Sequence, residues 1–425
     1  MAFGSYEVGV IQRTPVPDLD NPQGVRLGEL ALACVELKRD LDRANETSHV
    51  FHLPALLQVA GETLAARAAA WAARVAATGA QLAANQGEID EIAFALYGID
   101  RAAIEDAGGN HRGTEAQSSD EDEDEEEDGS TAVSPSDSLS LCASVVSYLV
   151  SCAFGRFDIR YATGALTLPA LPDPFAPLPA CAPGMLTGAD GLPLRAAPTD
   201  YPLHLTANGI LVDDPDHPDD IVGRVRATIE LAFGTSAEAS ERDLCAALNV
   251  ADLREYMRRP GAGGFWADHI KRYAKSRRKA PIYWLLQSPK RTYALWISLH
   301  RLDGDTLSKA LVSYVEPKLR MEEERLARLQ AAKGELTGRD LRQAERDIER
   351  QEATIADIRE MRARLDRAVR HDLTPDLNDG VVLTIAPLYE LVPWKEAKFY
   401  WDELLVGKYE WSSIGKQMRA KGLVK

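Results

Sequence analysis

The stretch from Glu316 to Arg370 leaves the chain little choice. It is dense in Glu, Arg, Ala and Leu, residues that lose little freedom in a helix. Leu341, Ala344, Ile348, Ile355 and Ile358 fall on a heptad-like seam along it. Gly334 and Gly338 bracket a turn, so the pattern predicts a long antiparallel coiled-coil hairpin with arms of unequal length. Such an arm reads as a solvated spacer rather than a seat of chemistry. It also sets the class: an α+β chain, predominantly helical, with an N-terminal helical bundle, a small mixed α/β region and this hairpin near the C-terminus.

The rest divides by composition. Residues 1–105 read as helical: Leu27, Leu30, Ala31, Cys34, Leu37, Lys38 and Leu41 keep helical spacing. An alanine-rich helix follows from Leu64, with Trp71 as its one large anchor and Asn85-Gln86-Gly87 as its expected end. Residues 106–137 form an acidic linker. Residues 138–302 are mixed: a buried helix over Ser138–Phe154, a short strand over Arg156–Tyr161, and a proline-dense extended segment from Ala165 to His204. An acidic turn (Asp213–Asp220), short helices and a helix over Phe265–Arg278 come next. Two strands, Pro281–Leu286 and Thr292–Leu299, then form a hairpin. Residues 303–374 hold the coiled-coil hairpin and 375–425 a C-terminal helical segment.

The net charge of −16 over 425 residues would argue against a nucleic-acid partner, but it averages two opposed blocks. Asp120–Asp128 is nine consecutive carboxylates, a run that repels itself and buries nothing, and is expected to be a disordered, solvated loop. From Arg254 to Arg301 twelve cations face only Glu255 and Asp268. Local charge, not the average, decides what a surface attracts.

Enzyme signatures are sparse. The five cysteines are odd in number, scattered and free of any CxxC pair, which excludes a thiolate zinc site and fits a reducing, cytoplasmic location. No signal peptide is evident, and the most apolar run is too short for a bilayer, so no membrane is expected. His49 and His52 lie close together but lack a third metal ligand, and reading them as ordered histidines at a helix junction suffices. Asp158 sits between Arg156 and Arg160 and reads as half of a structural ion pair. No P-loop, HExxH, GxSxG or Rossmann pattern is present.

The basic block is therefore the candidate site. Lys271, Arg272, Lys275, Arg277, Arg278, Lys279, Lys290 and Arg291 are the candidate DNA-binding residues, with Tyr273, Tyr283 and Trp284 interleaved. Cations at this density neutralise phosphates and set affinity without reading sequence. The competing reading is a solvated helix face, or one docked on acidic residues of the same chain.

Five stretches carry a resemblance: Tyr6–Pro17 (YEVGVIQRTPVP), Asn45–Leu57 (NETSHVFHLPALL), Cys152–Tyr161 (CAFGRFDIRY), Tyr273–Trp284 (YAKSRRKAPIYW) and Leu377–Trp401 (LNDGVVLTIAPLYELVPWKEAKFYW). In this order they resemble the C-terminal part of large adenine-specific DNA methyltransferases of restriction–modification type, including the PglX-like methylases of phage-defence systems such as BREX. The resemblance implies N6-adenine methylation with S-adenosylmethionine on double-stranded DNA. It also implies a C-terminal, DNA-engaging and architectural portion that begins after the catalytic domain, which another chain supplies or which has been lost. The motifs that would do the chemistry do not match. Asn21-Pro22-Gln23-Gly24 lacks the second proline and the aromatic of the base-holding loop, and Leu178–Gly184 (LPACAPG) resembles a cofactor turn without a strand before it or a helix after it. No catalytic, cofactor-binding or metal residue is therefore assigned. The expected partners are DNA and a methyltransferase catalytic domain on another chain, or other defence-system subunits. The alternative is a non-catalytic interaction subunit of a defence complex.

Overall fold

The computed structural model describes residues 15–99, 135–194, 196–275, 278–334 and 336–424, without the side chains of 135–137, 275 and 278. The acidic run Asp120–Asp128 and its expected disorder lie outside the described residues.

Two helices open the chain, α1 (Pro22–Asp42) and α2 (Leu64–Tyr97). Asn21 caps α1, its side chain accepting from the Gln23 and Gly24 N–H groups at 2.9 and 3.0 Å. Helix α2 does not stop at Asn85-Gln86-Gly87. It runs on to Gly98, which takes φ +63 and donates to the Ala95 carbonyl. A glycine in a helix interior weakens it without ending it, whereas the left-handed cap ends it cleanly. The α1 stripe is only half covered, with Leu30 its one buried residue.

Helix α3 (Pro135–Ala153) is the expected buried helix, and every residue from Val145 to Ala153 is inside. The predicted strand over Arg156–Tyr161 is a correction. Phe157 makes one isolated bridge to Met185, and Ile159–Ala162 is a single helical turn, α4. Asp158 caps that turn through the Arg160 N–H and pairs with the Arg160 guanidinium at 2.7 Å, so the local hydrogen bonds beat the alternating pattern. The proline-dense segment contains no helix or regular strand among its described residues.

Strand β1 (Ile210–Val212) leads through the acidic turn into α5 (Ile221–Phe233), capped by Asp220, then α6 (Ala237–Ala247) and α7 (Leu253–Arg258). The predicted long helix over Phe265–Arg278 is shorter: α8 covers Phe265–Arg272, and the chain then turns into a two-stranded ribbon, β2 (Ala274–Lys275) and β3 (Arg278–Lys279). Strands β4 (Tyr283–Gln287) and β5 (Ala294–Ser298) form the expected hairpin, and β1 joins it to give an antiparallel sheet of order β1-β5-β4. Both faces of β4 and β5 are covered, which is why their residues are apolar without alternation. Trp296 meets Phe265 and Trp266 of α8, and Tyr283 stacks on Phe154 at 4.6 Å.

After α9 (Thr306–Lys309), a π-helical segment leads into α10 (Glu316–Lys333), which lies antiparallel to α11 (Gly338–Arg370). Pairs Glu316–Arg362, Glu323–Arg359 and Lys333–Glu345 set the register. Of the predicted seam, Leu341, Ala344 and Ile348 are half-buried, while Ile355 and Ile358 are buried together with Met361, Leu365 and Ala368. The C-terminal half of α11 is thus core, not spacer. Helices α12 (Val381–Ile385), α13 (Lys395–Leu405) and α14 (Ser413–Ala420) close the chain, with Trp394, Ala397, Trp401 and Leu404 facing inward as expected. One large buried apolar cluster extends from Phe51 to Ala397, and a second, around Trp401, Leu404, Ile414 and Met418, holds the C-terminal helices together. Among the described residues no helix is long and apolar enough to cross a membrane.

Candidate nucleic-acid interface

Among the described residues, several cations of the basic block are already engaged within the chain. Arg254 pairs with Asp213 and, at 2.7 Å, with Asp220, and Arg258 also reaches Asp213. The acidic turn before α5 therefore neutralises the first part of the block. Arg259 is tied to Glu255 at 2.7 Å. Arg301 donates to the Leu194 carbonyl at 3.2 Å.

The eight candidate residues split further. Lys271 is exposed in the last turn of α8, where a cation also complements the helix dipole. Arg272 is turned toward the buried Glu46 carboxylate, 3.7 Å away. Lys279 pairs with Glu396 at 2.5 Å. The backbones of Lys275 and Arg278 pair in the ribbon, so these residues do not lie on a helix face as expected; Arg277 lies outside the described residues. Lys290 and Arg291 are exposed at the tip of the β4–β5 hairpin, and neither has an ion-pair partner among the described residues.

The interleaved aromatics are not a stacking platform. Tyr283 and Trp284 are fully buried, and the Trp284 indole donates to the Pro281 carbonyl at 2.9 Å. The Tyr273 hydroxyl donates to Glu46 at 2.7 Å and accepts from the buried Arg156 guanidinium at 2.9 Å. Glu46 also accepts from Ser151 at 3.2 Å. Tyr273, just past the end of α8, is thus bolted to residues more than a hundred positions earlier.

Two features that sequence reasoning missed position the site. Asp357 of α11 is almost fully buried and accepts from the backbone N–H groups of Lys290 (2.8 Å) and Thr292 (3.3 Å) and from the Thr292 hydroxyl (2.6 Å). Burial alone would raise its pKa, but these donors, with Ser288, hold it below the ordinary carboxylate value. A carboxylate one position before the seam residue Ile358 was the sequence hint. The second is His269, buried in α8, whose Nε2 accepts from the Ile282 and Tyr283 N–H groups at 2.9 and 3.0 Å and fixes the entry to β4. Burial, with help from Arg156 and Arg272, pushes its pKa well below that of a free imidazole.

The histidine pair separates. His49 is exposed, while His52 is buried, with Nδ1 beside the Val50 carbonyl at 2.9 Å. Burial and Arg43 push the His52 pKa down to about 4.

The residues nearest to a cofactor turn do not fit S-adenosylmethionine. Gly184 ends the LPACAPG segment with its N–H bound to the Phe51 carbonyl at 2.9 Å, and a Cβ there would lie 2.4 Å from the His52 carbonyl. The close approach that this glycine permits is taken by the chain's own backbone. Asn21, the nearest match to a base-holding asparagine, is engaged as the α1 cap.

No family model matches the chain. Over 192 residues, 43% of its length, it is 27% identical to the adenine-specific methyltransferase BrxX of Escherichia coli O9:H4 (strain HS). The matched stretch spans 16% of that relative's length.

Proposed function

We propose that the chain is a DNA-engaging, architectural portion of an adenine-specific methyltransferase of a phage-defence system, with the catalytic domain supplied by another chain. The observation that carries this reading is the similarity to BrxX, a protein far longer than the matched stretch. In such a division of labour, S-adenosylmethionine and the flipped adenine would be handled by the catalytic chain. This chain would add phosphate contacts and shape. Exposed cations at the hairpin tip and on α8 are suited to that task.

One observation favours the second reading, a non-catalytic interaction subunit: Arg254, Arg258, Arg259 and Lys279 are already paired within the chain. The discriminating experiment measures tritium transfer from S-adenosylmethionine to mixed-sequence duplex DNA. The assay contains a catalytic adenine-methyltransferase chain, with and without this protein. Under the proposal the chain alone neither binds the cofactor nor transfers methyl groups, and its addition raises transfer by the catalytic chain. Saturable cofactor binding by the chain alone, or no effect of its addition, would overturn the proposal.

A further inference from the structure

The β4–β5 tip is pinned by a closed set of hydrogen bonds. The Arg291 N–H donates to the Ser288 carbonyl at 2.9 Å. The buried Ser288 hydroxyl accepts from the Thr292 and Tyr293 N–H groups at 3.0 and 3.1 Å. Asp357 takes the Lys290 N–H and the Thr292 hydroxyl. Every backbone N–H from Lys290 to Tyr293 is thereby satisfied, which leaves the turn little freedom to move. Arg291 nevertheless sits at φ +62, in the left-handed region where glycine or asparagine is the ordinary choice. A long cationic side chain in that conformation is strained, and such strain persists where the surroundings impose it, often at functional sites. Beside it Lys290 is also exposed, and neither cation has an ion-pair partner among the described residues.

We infer that Ser288–Thr292 is a rigid basic finger that contacts nucleic-acid phosphate through Lys290 and Arg291, with Asp357 as its positioning residue. The inference rests on the DNA-engaging reading and deepens it by naming the contact. A guanidinium fork and an ammonium point charge on adjacent residues complement phosphate oxygens along a strand. Fixing the turn in advance removes the ordering cost that a flexible loop would incur on binding. Asp357 contributes through the backbone that it holds, since its own carboxylate is buried and would repel a phosphate.

The test uses the full chain, a short mixed-sequence DNA duplex at low salt, and poly-glutamate as an acidic protein mimic. Arg291→Gly relieves the strained conformation, so its melting temperature should equal or exceed the parent's while DNA affinity falls several-fold. Asp357→Ala removes a negative charge, which on charge alone would tighten DNA binding; the finger predicts the opposite, a several-fold weakening. Asp357→Asn keeps an acceptor for the turn and should recover part of the loss if the first variant folds poorly. Should Arg291→Gly and a Lys290→Ala/Arg291→Ala double variant bind DNA like the parent, the finger is overturned while the DNA-engaging reading stands. If the parent itself fails to bind DNA, that reading falls and the finger with it. Tip-dependent binding of poly-glutamate but not of DNA would overturn the inference in favour of an acidic protein surface.

Discussion

The two ends of the segment Lys271–Arg291 carry charge of the same sign but are built for different purposes. At the first end Arg272 faces Glu46, Tyr273 is locked between Glu46 and Arg156, and Lys279 is paired with Glu396. At the second end a carboxylate is also present, yet Asp357 binds backbone N–H groups and leaves the side chains of Lys290 and Arg291 outside. Charge density along a sequence counts both ends alike. Whether an acidic residue meets the side chain or the backbone decides which cations remain available to a partner.

Strand β4 joins the ends, so its core sets the largest expected effect. Trp284→Ala should cost roughly 3–5 kcal/mol in urea unfolding, because the fully buried indole leaves a cavity. A loss below about 1 kcal/mol would mean that the site collapses to fill the space, and the two ends would be less firmly coupled than drawn. Glu46→Ala comes next and separates the ends. Removing the buried carboxylate leaves the Tyr273 hydroxyl without its acceptor and Arg272 without its counter-charge, and should cost about 3 kcal/mol while leaving the hairpin tip intact. Equal damage to tip-dependent DNA binding would break the comparison.

A smaller effect follows from pH. His269 is held neutral in the folded chain, so its contribution is fully present above the unfolded pKa of about 6.5 and is lost as acid protonates it. The urea midpoint should fall between neutral and mildly acid pH, and the fall should shrink in His269→Gln. An unchanged pH dependence in that variant would remove His269 as the latch on β4. The smallest effect belongs to Lys279→Ala. Its exposed pair with Glu396 should be worth less than about 1 kcal/mol, checked by a double-mutant cycle with Glu396→Ala.

Elements marked by apolar runs or by helical spacing were legible in the sequence: the buried helix α3, the β4–β5 hairpin, the antiparallel α10–α11 pair and the inner face of α13. Errors arose where local chemistry or distant contacts overrode the pattern. RFDIRY alternates like a strand, but Asp158 caps a turn through its own neighbours. Helix α8 stops at Arg272 because Tyr273 is drawn inward to Glu46, an interaction across 227 positions that no window contains. The candidate interface was legible as a charge count and no further. Its division into paired and free cations depends on Asp213, Asp220 and Glu46 before it and on Asp357 and Glu396 after it.

The salt dependence of duplex DNA binding by the full chain tests the central claim most directly. The account predicts that log affinity falls linearly with log salt, and that Lys290→Ala/Arg291→Ala lowers the slope by about 1.8, near 0.9 for each phosphate contact. Lys279→Ala should leave the slope unchanged. A parent chain whose binding is absent or insensitive to salt would contradict the account, as would a slope set by Lys279 rather than by the hairpin tip.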